Sequence, residues 1–105
     1  MKKIAAATLL LSVSAIGAFA DAAAGKVTYE KSCKSCHGTS GTPNPAIAKM
    51  MKADMKDLGS SEVQAMSDAD IGKTITDGKG KMKPVKTVSG SAVDDVIAYI
   101  RTFKK

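Results

Sequence analysis

Apolar and polar positions divide the chain into helical stretches separated by breaks rich in glycine and proline, and no period-two run interrupts them. From Asp21 to Cys36, the residues Ala22, Gly25, Tyr29 and Ser32 recur at i, i+3, i+7 and i+10, which predicts a first helix with one buried face. Gly25 costs that helix stability relative to alanine, a cost that makes sense where a second helix crosses closely. Gly38, Gly41, Pro43 and Pro45 then mark a loop. Helical pattern resumes at Ala46 and runs through Ala48, Met50, Met51 and Met55 towards Leu58. Gly59-Ser60-Ser61 breaks it, and Glu62 to Met66 predicts one further turn.

Ser67 reads as an N-cap with Asp68 and Asp70 in the first turn of the next helix, which carries Ile71, Thr74 and Ile75 on one face and stops at Gly78. Residues 77–84 hold two glycines and a proline and predict an irregular segment. The last helix is expected to start near Ser89 or Ser91, the latter giving a Ser-x-x-Asp box with Asp94. Val93, Val96, Ile97 and Ile100 form its apolar stripe, Tyr99 and Phe103 lie beside it, and Arg101, Lys104 and Lys105 suit its C-terminus. The expectation is all-α.

Composition changes the picture at the N-terminus. Met1-Lys2-Lys3 is a basic head, Ile4 to Gly17 is an apolar and small-residue run, and Ala18-Phe19-Ala20 is an A-x-A cleavage site before Asp21. This is the form of a secretory signal peptide, so residues 1–20 are expected to be removed and 21–105 to form one small domain exported to the periplasm. The run is too short and too rich in Ala and Ser to span a bilayer stably; no cysteine follows the cleavage site to take a lipid, and no later stretch is long and apolar enough to cross, so no stable membrane anchor is expected. The net charge of +6 falls to +4 once Lys2 and Lys3 leave. No dense basic run with interleaved aromatics suggests nucleic acid. The mature segment has Tyr29, Tyr99, Phe103 and no tryptophan, a thin core for a domain of this size. A large apolar cofactor at the centre would supply what is missing.

The candidate chemistry lies in Cys33-Lys34-Ser35-Cys36-His37. C-x-x-C-H is the attachment signature of a c-type haem: two thiols on one helical turn form thioethers to the two vinyl groups of one haem, and the next residue places an imidazole on the iron. Cys33 and Cys36 are the only cysteines and His37 the only histidine, so the motif implies one covalent haem c with none of these residue types left over. A plain disulfide is the competing reading. A thioredoxin-like redox pair expects a βαβ pattern that is absent, and a zinc site needs four ligands where this chain offers three. With no second histidine, the opposite axial position falls to methionine. Met50, Met51, Met55 and Met66 sit at or near helical spacing, where methionine usually packs. Met82 lies in the Gly-flanked irregular segment without an amphipathic pattern to account for it, and is the expected second iron ligand; Met55 and Met51 come next, and an open or water-bound iron after them.

These features together resemble the class I cytochromes c, in particular the small bacterial monohaem electron carriers. The likeness covers nearly all of residues 21–105: a helix running into Cys33-x-x-Cys36-His37, a proline-containing loop, a helix ending at Gly78, the Gly80-Lys81-Met82 segment, and a last helix bearing Val96-Ile97-Ala98-Tyr99-Ile100-Arg101. The resemblance implies three to five helices wrapped around one haem, with the first and last crossing where Gly25 and Tyr29 meet Val96, Tyr99 and Ile100. It implies that a proline carbonyl accepts a hydrogen bond from the proximal histidine; Pro45 matches that position best and Pro43 is the runner-up. Two departures stand out: Lys83 separates Met82 from Pro84, where the family usually has proline directly after the methionine, and the tryptophan that contacts a propionate in some members is absent.

The function so implied is a soluble, monomeric, non-enzymatic carrier of single electrons between redox proteins. Lys73, Lys79, Lys81, Lys83 and Lys86 crowd around Met82, opposed there only by Asp77, and suit partners with acidic docking surfaces. Two other readings stay open: a haem enzyme or gas sensor with a labile Met82, and a haem subunit of a larger redox complex.

Overall fold

In the computed structural model the described residues are 20–105, and their helices follow the apolar periodicity closely: α1 (Ala22–Ser32), α2 (Lys34–His37), α3 (Pro45–Met51), α4 (Ser61–Gln64), α5 (Asp68–Asp77) and α6 (Ser91–Arg101). Among the described residues there is no strand, only an isolated antiparallel bridge between Lys79 and Met82. The expected signal peptide lies outside the described residues except for Ala20. Two of the six helices among the described residues are single turns, which leaves four longer ones, within the expected three to five.

Each helix start has a local cause. The Asp21 carboxylate accepts from the N–H groups of Ala23 and Ala24, Asn44 caps α3 with Pro45 in its first turn, and Ser60 and Ser67 cap α4 and α5. Such side chains satisfy amide donors that a helix start leaves unpaired, each worth about 1 kcal/mol. Helix α6 departs from expectation. Its N-cap is Gly90 at φ +59°, which puts Ser91 inside the helix, and the Ser91–Asp94 box does not form. Helix α3 is also shorter than its pattern suggests: Lys52 enters the left-handed region at φ +54° and stops it at Met51. Met50 and Met51, expected to pack, are 69% and 38% exposed.

The first and last helices cross, and Gly25 shows why. A Cβ on Gly25 would fall inside the Asp95 carbonyl of α6, so even alanine would force the helices apart. The Asp21 N–H donates to Asp95 Oδ1 at 2.8 Å beside the crossing. Tyr29, Ile71, Ile75, Val88, Val93, Val96, Ile97 and Ile100 form one buried cluster joining α1, α5 and α6. Tyr29 is fully buried, and its ring meets Tyr99 and Phe103 edge-on with centroids 5.4 and 5.3 Å away. Such edge-to-face pairs each add about 0.5–1.5 kcal/mol beyond burial.

Arg101 does more than complement a helix end. It donates to the carbonyls of Gln64 (2.9 Å) and Met66 (2.7 Å) and pairs with Asp68 at 2.7 Å, tying the α4–α5 corner to α6. It is the single arginine among sixteen basic residues. That isolation was the available signal, because only a planar, multi-donor fork can serve three acceptors in this way.

Candidate functional site

Cys33, Cys36 and His37 share one helical turn. The chain leaves α1 at Cys33 (φ −124°, ψ −31°), which serves both as the end of α1 and as the cap of α2. The expected continuous helix to Cys36 is therefore broken at the first thiol. The His37 N–H donates to Cys33 O at 3.0 Å and the Cys36 N–H to the same carbonyl at 3.3 Å, which closes the turn and places all three side chains on a short, stiff segment. Both thiols are free and half-buried, so no disulfide uses them.

The environment keeps the Cys33 thiol protonated and the imidazole neutral. Burial pushes the Cys33 thiol up to about 11, with the Cys36 thiol adding to the effect. Burial likewise lowers the His37 pKa and favours the neutral imidazole, the form that binds a metal. His37 Nδ1 is buried and finds no protein hydrogen-bond partner. The other ring nitrogen, Nε2, is the one left to face a metal when Nδ1 carries the proton. The hydrogen bond expected from the His37 ring N–H to the Pro45 carbonyl is not made in this structure. Pro45 instead opens α3, with the Asn44 side chain capping the N–H groups after it. Two free thiols, a neutral imidazole and a thin protein core together fit a haem held by Cys33, Cys36 and His37.

The loop after His37 is held from several sides. Gly38 sits at φ +79°, and a Cβ there would collide with the Thr42 carbonyl. The Asn44 N–H donates to Cys36 O at 3.0 Å, and the Tyr29 hydroxyl donates to Gly38 O at 2.7 Å. Removing that hydroxyl would leave a carbonyl unpaired, at a cost of roughly 1–3 kcal/mol. Farther along, Gly41 packs under the Phe103 ring and accepts from the Leu58 N–H at 3.0 Å. Asp57 receives bonds from Thr42, from the Gly59 N–H and from Lys105, whose hydrogen bond is the main cause holding its carboxyl below the ordinary range. Sequence reasoning missed this tie between the loop and the C-terminus, because the partners are distant in the chain and individually unremarkable.

Met82 is carried by a different element. Gly78 ends α5 at φ +80°, and Lys79 and Met82 exchange backbone hydrogen bonds of 2.9 and 3.0 Å that close a tight four-residue hairpin. A Cβ on Gly78 would lie 2.6 Å from Met82 O, so glycine is needed for the hairpin to fold back. The Val85 N–H then donates to Ile75 O at 2.8 Å, and Val88 enters the core. The segment returns to the end of α1, where the Ser32 and Thr87 hydroxyls lie 3.4 Å apart. Met82 is half-buried within an otherwise exposed lysine-rich hairpin. Of the other methionines, Met66 packs against the core and Met55 is half-buried.

Comparison with known proteins bears on family and fold. Residues 20–100 match the family model described as cytochrome c oxidase, cbb3-type, subunit III. Among solved structures, the KustC0563 c-type cytochrome is similar with a TM-score of 0.65 and 31% sequence identity, covering 77% of this chain and 98% of that one. No curated protein matches the chain.

Proposed function

This chain belongs to the c-type cytochrome family that the cbb3-type subunit III model describes, and from that membership we propose that it is an exported, monohaem electron carrier with His37 and Met82 as axial ligands. The observation that carries the reading is the Cys33–His37 turn, with two free thiols and an imidazole that burial keeps neutral on one stiff segment. When bound, haem supplies a one-electron iron couple. The chain's own residues do the rest. Cys33 and Cys36 hold the group covalently, so it is not lost outside the cell membrane. His37 would hold the iron through its imidazole, and the Lys79–Met82 hairpin would offer a thioether as the second protein ligand. With two protein ligands the iron would have no position for a substrate, which suits a carrier rather than an enzyme.

Export follows from the N-terminal signal, with Asp21 as the first mature residue. Among the described residues no helix is long and apolar enough to cross a membrane. The test is a redox titration of purified holoprotein. A single reversible one-electron transition is expected, with a ferrous spectrum that does not move promptly under carbon monoxide. A prompt shift would favour the enzyme or gas-sensor reading.

The partners proposed are redox proteins with acidic docking surfaces. Lys73, Lys79, Lys81, Lys83 and Lys86 are all exposed, and none is in an ion pair among the described residues. Their field would steer encounter and raise the association rate more than the final affinity. Charge reversal at Lys81 or Lys83 should slow electron transfer to the physiological partner at low ionic strength. The deficit should shrink as salt shortens the Debye length below about 8 Å. Reversal at Lys49 or Lys104 should do much less, and equal effects at all four positions would reduce the matter to net charge. The family description also favours a second reading, in which the chain is the haem subunit of a larger oxidase. Stoichiometric co-purification with other subunits would decide for it.

A further inference from the structure

We propose that the Tyr29 hydroxyl is a positioning group for His37: by donating to the Gly38 carbonyl it sets the backbone that carries the imidazole, and so couples the α1–α6 crossing to the metal site. The inference rests on the reading of His37 as the haem ligand and goes beyond it by assigning a role to a residue outside the attachment motif.

Five hydrogen bonds hold the backbone of residues 36–38 in place around His37. Three are local, from the Cys36 and His37 N–H groups to Cys33 O and from the Gly38 N–H to Lys34 O, and one comes from the Asn44 N–H to Cys36 O. The fifth is the 2.7 Å bond from Tyr29 to Gly38 O, and it alone comes from a side chain of the core. Gly38 is tightly turned, so its carbonyl direction is set by the loop and can be read by a fixed donor. Tyr29 is such a donor. Its ring is fully buried between Tyr99 and Phe103, and those two rings lie 5.0 Å apart, closing an aromatic triangle around it. Burial, the largest cause, raises the phenol pKa well above its usual range, so the hydroxyl keeps its proton and remains a donor.

A phenylalanine at position 29 would fill the same space without burying a hydroxyl. Tyrosine makes sense there because its hydroxyl donates to the residue directly after the proposed ligand, while the Gly41 backbone also acts on the same oxygen. An electron carrier benefits from a ligand held alike in both oxidation states, and a ligand is held best when supporting groups lock its backbone and ring.

The test compares wild-type holoprotein with Tyr29→Phe and Tyr99→Phe. The Tyr99 hydroxyl has no hydrogen-bond partner among the described residues, so Tyr99→Phe controls for loss of a hydroxyl from the same aromatic triangle. The readouts are the paramagnetically shifted haem-methyl resonances of the ferric protein, which report the ligand orientation, together with the reduction potential and Tm. Tyr29→Phe should move the methyl pattern and the potential; Tyr99→Phe should leave both near wild type. The Tyr99→Phe protein keeps Tyr29 as its only tyrosine. Uniform 3-fluorotyrosine labelling of it makes that phenol a stronger donor at nearly unchanged shape, and should move the methyl pattern in the sense opposite to Tyr29→Phe. If Tyr29→Phe yields no holoprotein, the fluorotyrosine protein decides alone. A Tyr29→Phe protein with lowered Tm but wild-type methyl shifts and potential would show that the bond merely staples the loop, and the proposal falls. An unmoved spectrum on fluorination overturns it as well. Wild type that carries no covalent haem overturns the haem reading itself, and is told apart because it fails before any variant is compared.

Discussion

Replacing both Cys33 and Cys36 with alanine should abolish covalent haem completely and leave a chain that does not hold its native packing. Wild type, matured with a c-haem assembly system, should keep its colour through denaturing electrophoresis and through acid–acetone extraction. Either single alanine variant should retain at most one thioether and give little stable holoprotein. The expected loss of fold follows from size. Among the described residues nine apolar side chains are buried. A domain of about 85 residues buries a small fraction of its surface compared with larger ones and is correspondingly marginal. Haem is the largest apolar body proposed for this interior, and the thioethers make its binding irreversible. The double variant should therefore show collapsed chemical-shift dispersion and a non-cooperative melt. A cooperative, well-dispersed apo fold would mean that the protein core suffices by itself, and complete extraction of haem from wild type would remove the basis of the attachment reading.

The second large effect is expected at Met82. Met82→Ala should eliminate the weak methionine–iron band at the red edge of the ferric spectrum and open the metal to carbon monoxide and cyanide. Loss of a thioether that favours ferrous iron should lower the potential by on the order of 0.2 V, roughly 4–5 kcal/mol for one electron. Met50→Leu, Met51→Leu and Met55→Leu should leave the band and the potential essentially intact. The structure sharpens the contrast. Met50 and Met51 are exposed near the end of α3, whereas Met82 is half-buried in a hairpin closed by two backbone bonds to Lys79. That closure limits how far the hairpin can move, so alanine should remove the sulfur without remodelling the loop. Disappearance of the band in one of the three leucine variants, with its survival in Met82→Ala, would assign the ligand to the other segment.

How much of this was legible in the sequence depended on whether the deciding interaction was local. The all-α class, the Ser67 cap, the stop at Gly78 and the apolar stripe of α6 could be read directly. Each arises from side-chain periodicity or from a residue bonding to amides two or three positions away. The Cys33–His37 motif was equally legible because its chemistry requires all three groups on one turn. Gly25 could be flagged as a close-crossing site, since glycine on a buried helical face has few other uses. Tertiary structure decided what depended on partners far along the chain or on the balance between competing local preferences. The methionine pattern after Met51 suggested more helix, but Lys52 turns left-handed and ends it. Ser91 offered a capping box, but Gly90 at positive φ brings the chain into α6 one residue earlier. Pro45 matched a family position, yet here it opens α3 and leaves His37 Nδ1 without a partner. The bonds from Tyr29 to Gly38 and from Arg101 to Gln64 and Met66 span 9, 37 and 35 residues. No periodicity encodes such pairings. They exist because burial of a few apolar side chains brings donors and acceptors to one place, where an unpaired polar group would be too costly to leave.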